Sequence, residues 1–340
     1  MIERLRILVR NLLWRLCEKM DEVTLSIIIV NWNTCEITRN CLASVREKVT
    51  GINCEVIVVD NASSDNSVEM IRAEFPEVRL IVNDSNLGFG RANNQAMRVA
   101  CGRYFLLLNS DTLVIDDSIQ RLVNFMESDS EIGIAGCKLL FEDMTLQGSC
   151  SRFPSIKVAL IEDLMLYKFL SRRRQGELLL NGYWAHDRTR DVDAVWGAVM
   201  IVRREVFDET AGFDERIFMY GEDLEWCMRV HDKGWRISFA HDCRIIHLNH
   251  KSAEIKYGDE RVDLCHKRSY EIYRRRQGAV AMGVLMLIKT AGALIRACYF
   301  GLRAMAESGA SDYFKSQAKF YNRSLKYHLR AIRGRKLAIE

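Results

Sequence analysis

Residues 104–112 read YFLLLNSDT, and this stretch decides the fold. Its apolar run at 105–108 has the length of a fully buried strand. The run ends at Asn109 and Asp111, polar residues that a core does not accept unpaired. Ligands of an open parallel sheet bind beyond the carboxyl ends of its strands, so Asp111 is a candidate ligand for a metal ion and, through it, for phosphate oxygens. A helix cap near Asp116 explains Asp111 equally well at this point.

The same pattern recurs along the first half of the chain. Apolar runs of strand length alternate with amphipathic stretches of helical length: strands at 25–30, 56–59, 80–82 and 105–108, and helices near 35–47, 66–74, 91–100 and 117–127. This βαβ repetition predicts an α/β fold with a doubly wound, mostly parallel sheet and right-handed crossovers.

Each predicted strand is followed by polar side chains. The pairs, in chain order, are Asn31 and Asn33, Asp60 and Asn61, Asn83 and Asn86, and Asn109 and Asp111. The carboxyl ends of parallel strands meet at one edge of the sheet, so we expect these side chains to lie together. One such ending indicates a turn, whereas several at one edge indicate a binding site.

Two nucleotide-binding classes are excluded by the glycines. The first strand is followed by NWNTCEITRN at 31–40, which contains no glycine, so the dinucleotide fingerprint G-x-G-x-x-G is missing there. A P-loop is also missing from the sequence. The stretch NLGFG at 86–90 opens a helix but lacks the third glycine. Gly88 and Gly90 either let the backbone approach a ribose or diphosphate closely or make a turn, and both interpretations stay open.

The charges are concentrated at the two ends of the chain. Residues 1–20 carry a net charge of +3 and residues 266–340 carry +12, which leaves −11 for the body between them. Basic ends predict a polyanionic partner, either nucleic acid or an anionic membrane surface. Apolar stripes accompany the charges at both ends, so we expect the membrane and no nucleic acid. The stripe in 1–20 predicts an amphipathic basic helix, too charged to span a bilayer and without a signal-peptide cleavage site.

The C-terminal region, 266–340, contains the most apolar segment of the chain. Residues 278–306 are interrupted by charges at Lys289, Arg296 and Arg303. We expect an amphipathic helix lying in the membrane interface, with a tilted or re-entrant insertion as the alternative. The arginines at 274–276 would meet anionic headgroups at about 1 kcal/mol each.

A set of motifs along the chain resembles the family 2 inverting glycosyltransferases. It comprises SIIIVNWN at 26–33, VVDNASSDNS at 58–67, NLGFGRANNQA at 86–96, LLLNSD at 106–111, the WGAV…KGW stretch at 196–235 and RIIHLNH at 244–250. The likeness is strongest to the rhamnosyltransferase-like branch that builds bacterial surface polysaccharides. It covers about residues 24–255 and is specific for the family but weak for the sugar.

The resemblance implies a GT-A type fold at 21–265. The donor half would occupy about 24–112, and the acceptor and catalytic half, with a small acceptor-side subdomain, about 113–255. Within the donor half the resemblance assigns donor binding to these residues: Asn31, Asn33, Asp60, Asn86, Gly88, Asn94 and Asn109.

The same resemblance assigns a divalent cation, Mn²⁺ or Mg²⁺, to Asp111 and His247. Asp111 matches the last acid of the family's D-x-D metal motif, and Asn109 stands in place of the first acid. His247 matches a histidine that completes the metal shell. An imidazole ligand favours Mn²⁺ over Mg²⁺.

Asp223, with Glu222 beside it, matches the catalytic base of the family. Read alone, the two acids open a helix that ends near Gly234 and stabilise its dipole. Inversion requires a base that takes the proton from an acceptor hydroxyl, and the Glu222 carboxylate would raise the pKa of Asp223. Glu225 replaces the second Asp of the family's E-D-x-D pattern.

We therefore expect a metal-dependent inverting glycosyltransferase, a hexosyl- or deoxyhexosyltransferase of cell-surface glycan biosynthesis. It would move a sugar, for which rhamnose is a candidate, from a dTDP- or UDP-sugar to a lipid-linked or polysaccharide acceptor. It would lie peripherally on the cytoplasmic face of the plasma membrane. The alternative is a non-catalytic nucleotide-sugar-binding or membrane scaffold protein of the same fold.

Overall fold

The computed structural model describes residues 23–248, 261–306 and 311–332. The expected helix at 1–20 and the end of the basic tail lie outside the described residues. The described chain divides into two compact units. The first unit comprises 23–151 and 185–248, and the second comprises 152–184 with the C-terminal helices. The boundaries expected at residues 20 and 265 stay a prediction.

The donor half of the first unit is a four-stranded parallel arrangement with helices between its strands. Its elements, numbered in chain order, are β1 (Leu25–Asn31), α1 (Cys35–Lys48), β2 (Cys54–Asp60), α2 (Ser67–Glu74), β3 (Arg79–Val82), α3 (Phe89–Met97) and β4 (Tyr104–Asn109). The strand order is β3-β2-β1-β4, and all three pairs are parallel. The parallel strands and crossover helices expected from the apolar alternation are therefore present.

The rest of the first unit extends the same sheet with mixed strand directions. Its elements are β5 (Thr112–Val114), α4 (Ser118–Ser128), β6 (Ile132–Leu140), β7 (Leu146–Gln147), β8 (Cys150–Ser151), β9 (Arg190–Asp191), β10 (Ala194–Val195), β11 (Val199–Arg203), α7 (Arg204–Thr210), α8 (Glu222–Asp232) and β12 (Arg236–His247). The sheet continues from β4 as β11-β6-β12-β5. β12 is parallel to β6, whereas β11 is antiparallel to both its neighbours and β5 is antiparallel to β12.

The reversed direction of β11 has a consequence for the site. The Asn109 N–H donates to the carbonyl of Ala198 at 2.9 Å, so β11 starts at the edge where β4 ends. The amino end of β11 therefore lies beside the carboxyl ends of the parallel strands. Residues just before β11 are brought to the edge at which ligands of such sheets bind.

The core of the first unit lies on both faces of the central strands. Ile27 and Ile29 of β1 and Leu106 of β4 belong to one buried cluster with residues of the flanking helices, and Ile28 and Leu107, which point to the other face, are equally buried. Because both faces are covered by helices, these strands are apolar at nearly every position.

The second unit is helical in its described residues. Its elements are α5 (Ile156–Asp163), α6 (Arg172–Leu179), α9 (Arg261–Ala306), α10 (Ser311–Ile332) and two short 3₁₀ segments, Leu166–Phe169 and Asn181–Tyr183. α9 packs along α10 and is broken at Gly278, which has φ 83° and ψ 173°. By length and composition, the stretch Val262–Ala306 of α9 is long and apolar enough to cross a membrane.

Candidate active site

A buried amide–carboxylate pair joins the ends of β1 and β2. Asn31 and Asp60 are partners in the parallel ladder, and Asn31 Nδ2 donates to Asp60 Oδ2 at 2.7 Å. The backbone N–H of Ser63 donates to Asp60 Oδ1 at 2.9 Å. The hydroxyls of Thr34 and Thr38 donate to Asn31 Oδ1 at 2.7 and 2.6 Å. The side chain of Asn31 is thus held by the protein and orients Asp60.

Asn33 ties the loop after β1 to the loop after β2. Its φ is 53°, a left-handed conformation that asparagine tolerates better than most residues. Its Oδ1 accepts from the backbone N–H of Ser64 at 2.7 Å, and its own N–H donates to Ser63 Oγ at 2.9 Å. The structure therefore brings Asn31, Asn33 and Asp60 to one corner of the sheet edge.

The glycine turn before α3 packs closely against the segment that leads to α8. Gly88 has φ 84°, and its N–H donates to Asn86 Oδ1 at 2.9 Å. A Cβ at Gly88 would lie 2.4 Å from the carbonyl oxygen of Phe218, and a Cβ at Gly90 would lie 2.9 Å from Phe213 Cβ. The structure shows a turn whose glycines admit a neighbouring protein segment, and the approach of this backbone to a ribose or diphosphate stays a prediction.

Asn94 is fully buried and binds the loop between α7 and α8 with both polar atoms. Its Nδ2 donates to the carbonyl of Phe213 at 2.9 Å, and its Oδ1 accepts from the N–H of Phe213 at 2.9 Å. The fit is tight, since a Cβ at Gly212 would lie 2.2 Å from Asn94 Oδ1. Asn94 therefore clamps the loop that leads to Asp223, a role that the donor-binding assignment did not include.

Asp111 and His247 meet through the β5–β12 ladder. His247 is the register partner of Thr112, and the N–H of Leu248 donates to the carbonyl of Asp111 at 2.8 Å. His247 Nε2 lies 3.2 Å from Asp111 Oδ1. Both side chains are buried. Two residues more than a hundred positions apart are thus placed side by side, as the metal assignment requires.

Gln147 sets the orientation of the His247 ring. Its Oε1 lies 2.7 Å from His247 Nδ1, so Nδ1 carries the hydrogen of this bond. In the neutral tautomer that donates from Nδ1, the lone pair is on Nε2, which faces Asp111 Oδ1 and Asn109 Nδ2, the latter at 3.4 Å. A bond from the second ring nitrogen that fixes the tautomer is the usual support of a metal-bound histidine.

The donor set at Asp111 and His247 fits a divalent cation. A carboxylate oxygen and an imidazole nitrogen face one another, a mixed oxygen and nitrogen pair of the kind that binds divalent cations. Among the described residues, no group of three His, Cys, Asp or Glu side chains that could hold a metal was found. Two protein ligands suit an ion whose other positions are filled by water and by diphosphate oxygens.

Asp223 lies at the start of α8 and is anchored to the strand edge. Its Oδ2 accepts from the Gly197 N–H at 3.2 Å, and its Oδ1 accepts from the Leu224 N–H at 2.7 Å. Burial raises the pKa of the Asp223 carboxyl above its usual range, and these two N–H groups oppose the rise. The direction agrees with the expectation, but burial, rather than the Glu222 carboxylate, is the largest cause.

The acids beside Asp223 differ in their surroundings. Glu222 is buried at the first position of α8. Glu225 forms a salt bridge with Arg229 at 2.9 Å, and Arg229 in turn donates to the carbonyls of Thr210 and Gly212. Glu225 thus fixes the same loop as Asn94, a structural role for the position at which the family pattern has a second Asp.

One backbone path connects the parts of the site. Gly197 donates to Asp223, the next residue, Ala198, accepts from the N–H of Asn109, and Asn109 is two residues from Asp111. The base candidate and the metal candidates therefore lie along the same strand edge. Gly197 and Gln147 were not among the predicted site residues. Gln147 lies in a stretch that reads as a polar loop, and only the fold brings it to His247.

The sequence and the fold both match known families and proteins. The model of glycosyl transferase family 2 matches residues 26–209, more than half of the chain. The O-antigen biosynthesis protein RfbC of Myxococcus xanthus is 28% identical over 253 residues, which cover 73% of this chain and 19% of that protein. The N-acetylglucosaminyl-diphospho-decaprenol L-rhamnosyltransferase of Mycobacterium tuberculosis is 27% identical over 209 residues, covering 56% of this chain and 66% of that enzyme. The chain thus spans only about a fifth of the first relative and about two thirds of the second.

The fold has a match among solved structures. The mannosyltransferase PcManGT from Pyrobaculum calidifontis, in complex with GDP-Man and Mn²⁺, superposes with a TM-score of 0.59 at 15% identity. The match covers 98% of this chain and 95% of that one. At this identity the likeness concerns the fold alone, and the expected α/β fold of GT-A type is confirmed.

Proposed function

The chain belongs to glycosyl transferase family 2, and from this premise we propose that it is a metal-dependent inverting glycosyltransferase of cell-surface glycan biosynthesis. The donor is a dTDP- or UDP-sugar, and the acceptor is a lipid-linked or polysaccharide chain at the cytoplasmic face of the membrane. Rhamnose is the sugar best supported, because a curated relative bears the name of a rhamnosyltransferase.

The observation that carries this proposal is the convergence of three functional groups on one strand edge. Asp223 is anchored at Gly197, and Asp111 faces His247 two residues beyond Asn109, which is bonded to Ala198. A base candidate beside a cation-binding pair is the arrangement that nucleotide-sugar chemistry needs. An acid that merely stabilises a helix end needs no such neighbours.

Each group has a distinct task in the proposed reaction. Asp60, oriented by Asn31, binds the donor at the ends of β1 and β2. Asp223 takes the proton from the acceptor hydroxyl, and its raised pKa makes it a better proton acceptor than an exposed aspartate. Asp111 and His247 would hold the divalent cation. When bound, the cation neutralises charge on the diphosphate leaving group.

The experiment is a two-product assay on the full chain with a panel of dTDP-, UDP- and GDP-sugars. Release of nucleoside diphosphate and glycosylation of a trial acceptor, N-acetylglucosaminyl-diphospho-lipid, are both measured with and without Mn²⁺. We expect turnover of one donor class and formation of the opposite anomer. Binding of a donor with no release of nucleoside diphosphate under any condition would instead support the scaffold alternative.

Substitutions at the site separate chemistry from binding. Asp223→Asn should lower transfer by about 10²–10⁴-fold and leave donor binding nearly unchanged, because only the base is lost. Asp232→Asn, at the exposed end of the same helix, is the matched control. Asp111→Ala should abolish binding of Mn²⁺ in the presence of nucleoside diphosphate, measured by electron paramagnetic resonance. Full activity of Asp223→Asn would refute the base assignment, and unchanged Mn²⁺ binding by Asp111→Ala would refute the metal assignment.

A further inference from the structure

The second half of α9 carries a stripe of apolar side chains that the unit does not cover. These residues, here called the outer stripe, are each at least 40% exposed: Val280, Val284, Leu287, Leu294, Leu302 and Met305. At about 100° per residue they fall on one side of the helix, within an arc of about 80°. The most apolar 18-residue window of this helix is only 17% buried. The core helix of a soluble protein would be mostly covered.

Two charged residues in this half of the helix, Lys289 and Arg296, lie on its opposite side and are paired within the unit. Lys289 Nζ lies 3.3 Å from Asp163 Oδ2, and Arg296 Nη1 lies 3.8 Å from Asp163 Oδ1. Arg296 also donates to the carbonyl of Glu162. The Arg296 side chain is only 10% exposed. An amphipathic surface helix of a soluble protein has the reverse arrangement, with its charges outward.

A second segment continues the apolar surface. Lys168 Nζ lies 4.0 Å from the centre of the Tyr299 ring, which places the 3₁₀ segment Leu166–Phe169 against α9. Within this segment, Phe169 is 87% exposed and Leu166 is 45% exposed. A large aromatic side chain with so little cover is unusual on a soluble surface, particularly beside other exposed apolar residues.

Basic residues stand at one end of this surface. The arginines at 274–276 are exposed and directly precede the break at Gly278, where the apolar half of α9 begins. Basic groups at the start of an uncharged apolar face match the chemistry of an anionic bilayer, in which phosphate headgroups lie above hydrocarbon.

We propose that the outer stripe, together with Leu166 and Phe169, docks into the hydrocarbon of an anionic phospholipid bilayer. The arginines at 274–276 contact the headgroups, and Lys289 and Arg296 do not. The inference deepens the membrane attachment in the proposed function, on which it rests, by assigning the residues that make it. It includes a segment between β8 and β9 that the sequence did not associate with the membrane.

A second copy of the chain is the main competing occupant. Positions 284, 287, 291, 294 and 298 follow the a/d spacing of a coiled coil. Coiled-coil helices usually carry charges at the flanking e and g positions, which set partner and register. Here those positions hold Ile288, Thr290, Ile295 and Ala297. No charged side chain at these flanking positions would set the partner or register of a coiled coil, and this suits lipid better than a partner helix.

Vesicle flotation of the full chain tests the proposal. The triple variant Leu287→Gln, Leu294→Gln, Leu302→Gln should bind phosphatidylcholine–phosphatidylglycerol vesicles at least about 100-fold more weakly, since three apolar side chains lose their burial. These side chains are exposed in the protein, so the variant should keep its thermal unfolding midpoint. Val82→Gln with Met144→Gln, at exposed apolar positions of the first unit, is the matched control and should bind normally.

Two further measurements distinguish the parts of the surface. Replacing the arginines at 274–276 by Gln should weaken binding about fivefold per residue, and only when phosphatidylglycerol is present. A polarity-sensitive fluorophore on Cys298, an exposed thiol on the same side of α9, should shift its emission to shorter wavelength on vesicle binding. Cys298→Ala controls for labelling elsewhere.

The outcomes are separable from those of the transfer assay, because flotation needs no nucleotide sugar. Wild-type protein that stays unbound, or a triple variant that floats as well as wild type, would overturn the proposal. A wild-type protein that is dimeric without vesicles, together with a triple variant that is monomeric, would also overturn the proposal. That result would mean that a second copy of the chain covers the outer stripe.

Discussion

The two units place their charged groups in opposite ways. In the first unit, neutral groups orient two of the acids at the strand edge: the Asn31 amide donates to Asp60, and the Gly197 N–H donates to Asp223. In the second unit, Asp163 is paired inside with Lys289, and the apolar side chains of the outer stripe are exposed. The same kind of residue thus stands at a candidate ligand site in one unit and is paired internally in the other. The difference lies in whether the carboxylate is oriented by neutral donors or matched by opposite charge.

The largest expected effect concerns the internal pairing. Asp163→Ala should lower the free energy of unfolding by about 3 kcal/mol, because it leaves Lys289 and Arg296 without their carboxylate in a mostly covered position. Chemical denaturation followed by circular dichroism measures the change. Glu47→Ala, which removes an exposed pair with Lys48, should cost under about 1 kcal/mol. Equal losses in the two variants would mean that the second unit's charges are solvated rather than structural.

The next effect concerns orientation in the first unit. Asn94→Ala should lower kcat by about 100-fold with little change in KM for the donor, because the loop before Asp223 loses its clamp and the base is misplaced. Asn93→Ala removes a neighbouring buried amide, which donates to the Phe89 carbonyl, and is the control for general destabilisation. A raised KM at unchanged kcat would instead favour the donor contact that the family resemblance implies for Asn94.

The smallest effect is a pH dependence at Asp223. Burial raises the pKa of this carboxyl in the folded protein, so the acid limb of kcat/KM should lie above the usual aspartate pKa of about 3.9. The folded state then binds the proton more tightly than the unfolded state does. The stability from this group is therefore complete below about pH 3.9 and is lost as pH rises through the folded pKa. Asp223→Asn should remove that slope from a series of unfolding midpoints, and an unchanged slope would contradict the shift.

Hydrophobic periodicity and the residues that start and end elements predict the strands and helices that depend on neighbouring residues alone. The apolar run 105–108, the helix opened by Glu222 and the parallel strands of the donor half follow from residue periodicity and end signals. The direction of β11 does not, because an apolar strand reads the same from either end. Only its hydrogen bond to Asn109 shows that it begins at the site edge.

Side-chain partners were the least predictable feature of the site. Gln147 orients His247 from a two-residue strand that carries no motif. Gly88 has the left-handed backbone conformation that glycine tolerates, but the space beside it is filled by Phe218, which the sequence did not indicate. The seven-residue spacing of Lys289 and Arg296 is enough to place them on one face of a helix, yet the direction of that face depends on where Asp163 lies. Such contacts join distant parts of the sequence, and periodicity holds no information about them.

The β5–β12 ladder also sets the order in which the site can form. It pairs Thr112 with His247, and without it Asp111 has no imidazole beside it. A contact across such a long stretch of chain has a loop-closure cost that must be met before the contact can form. A nascent chain that has completed the donor half therefore has no metal pair until β12 has emerged and joined the sheet. Under the proposed metal role, capture of a cation would therefore wait until nearly the whole first unit has been synthesised.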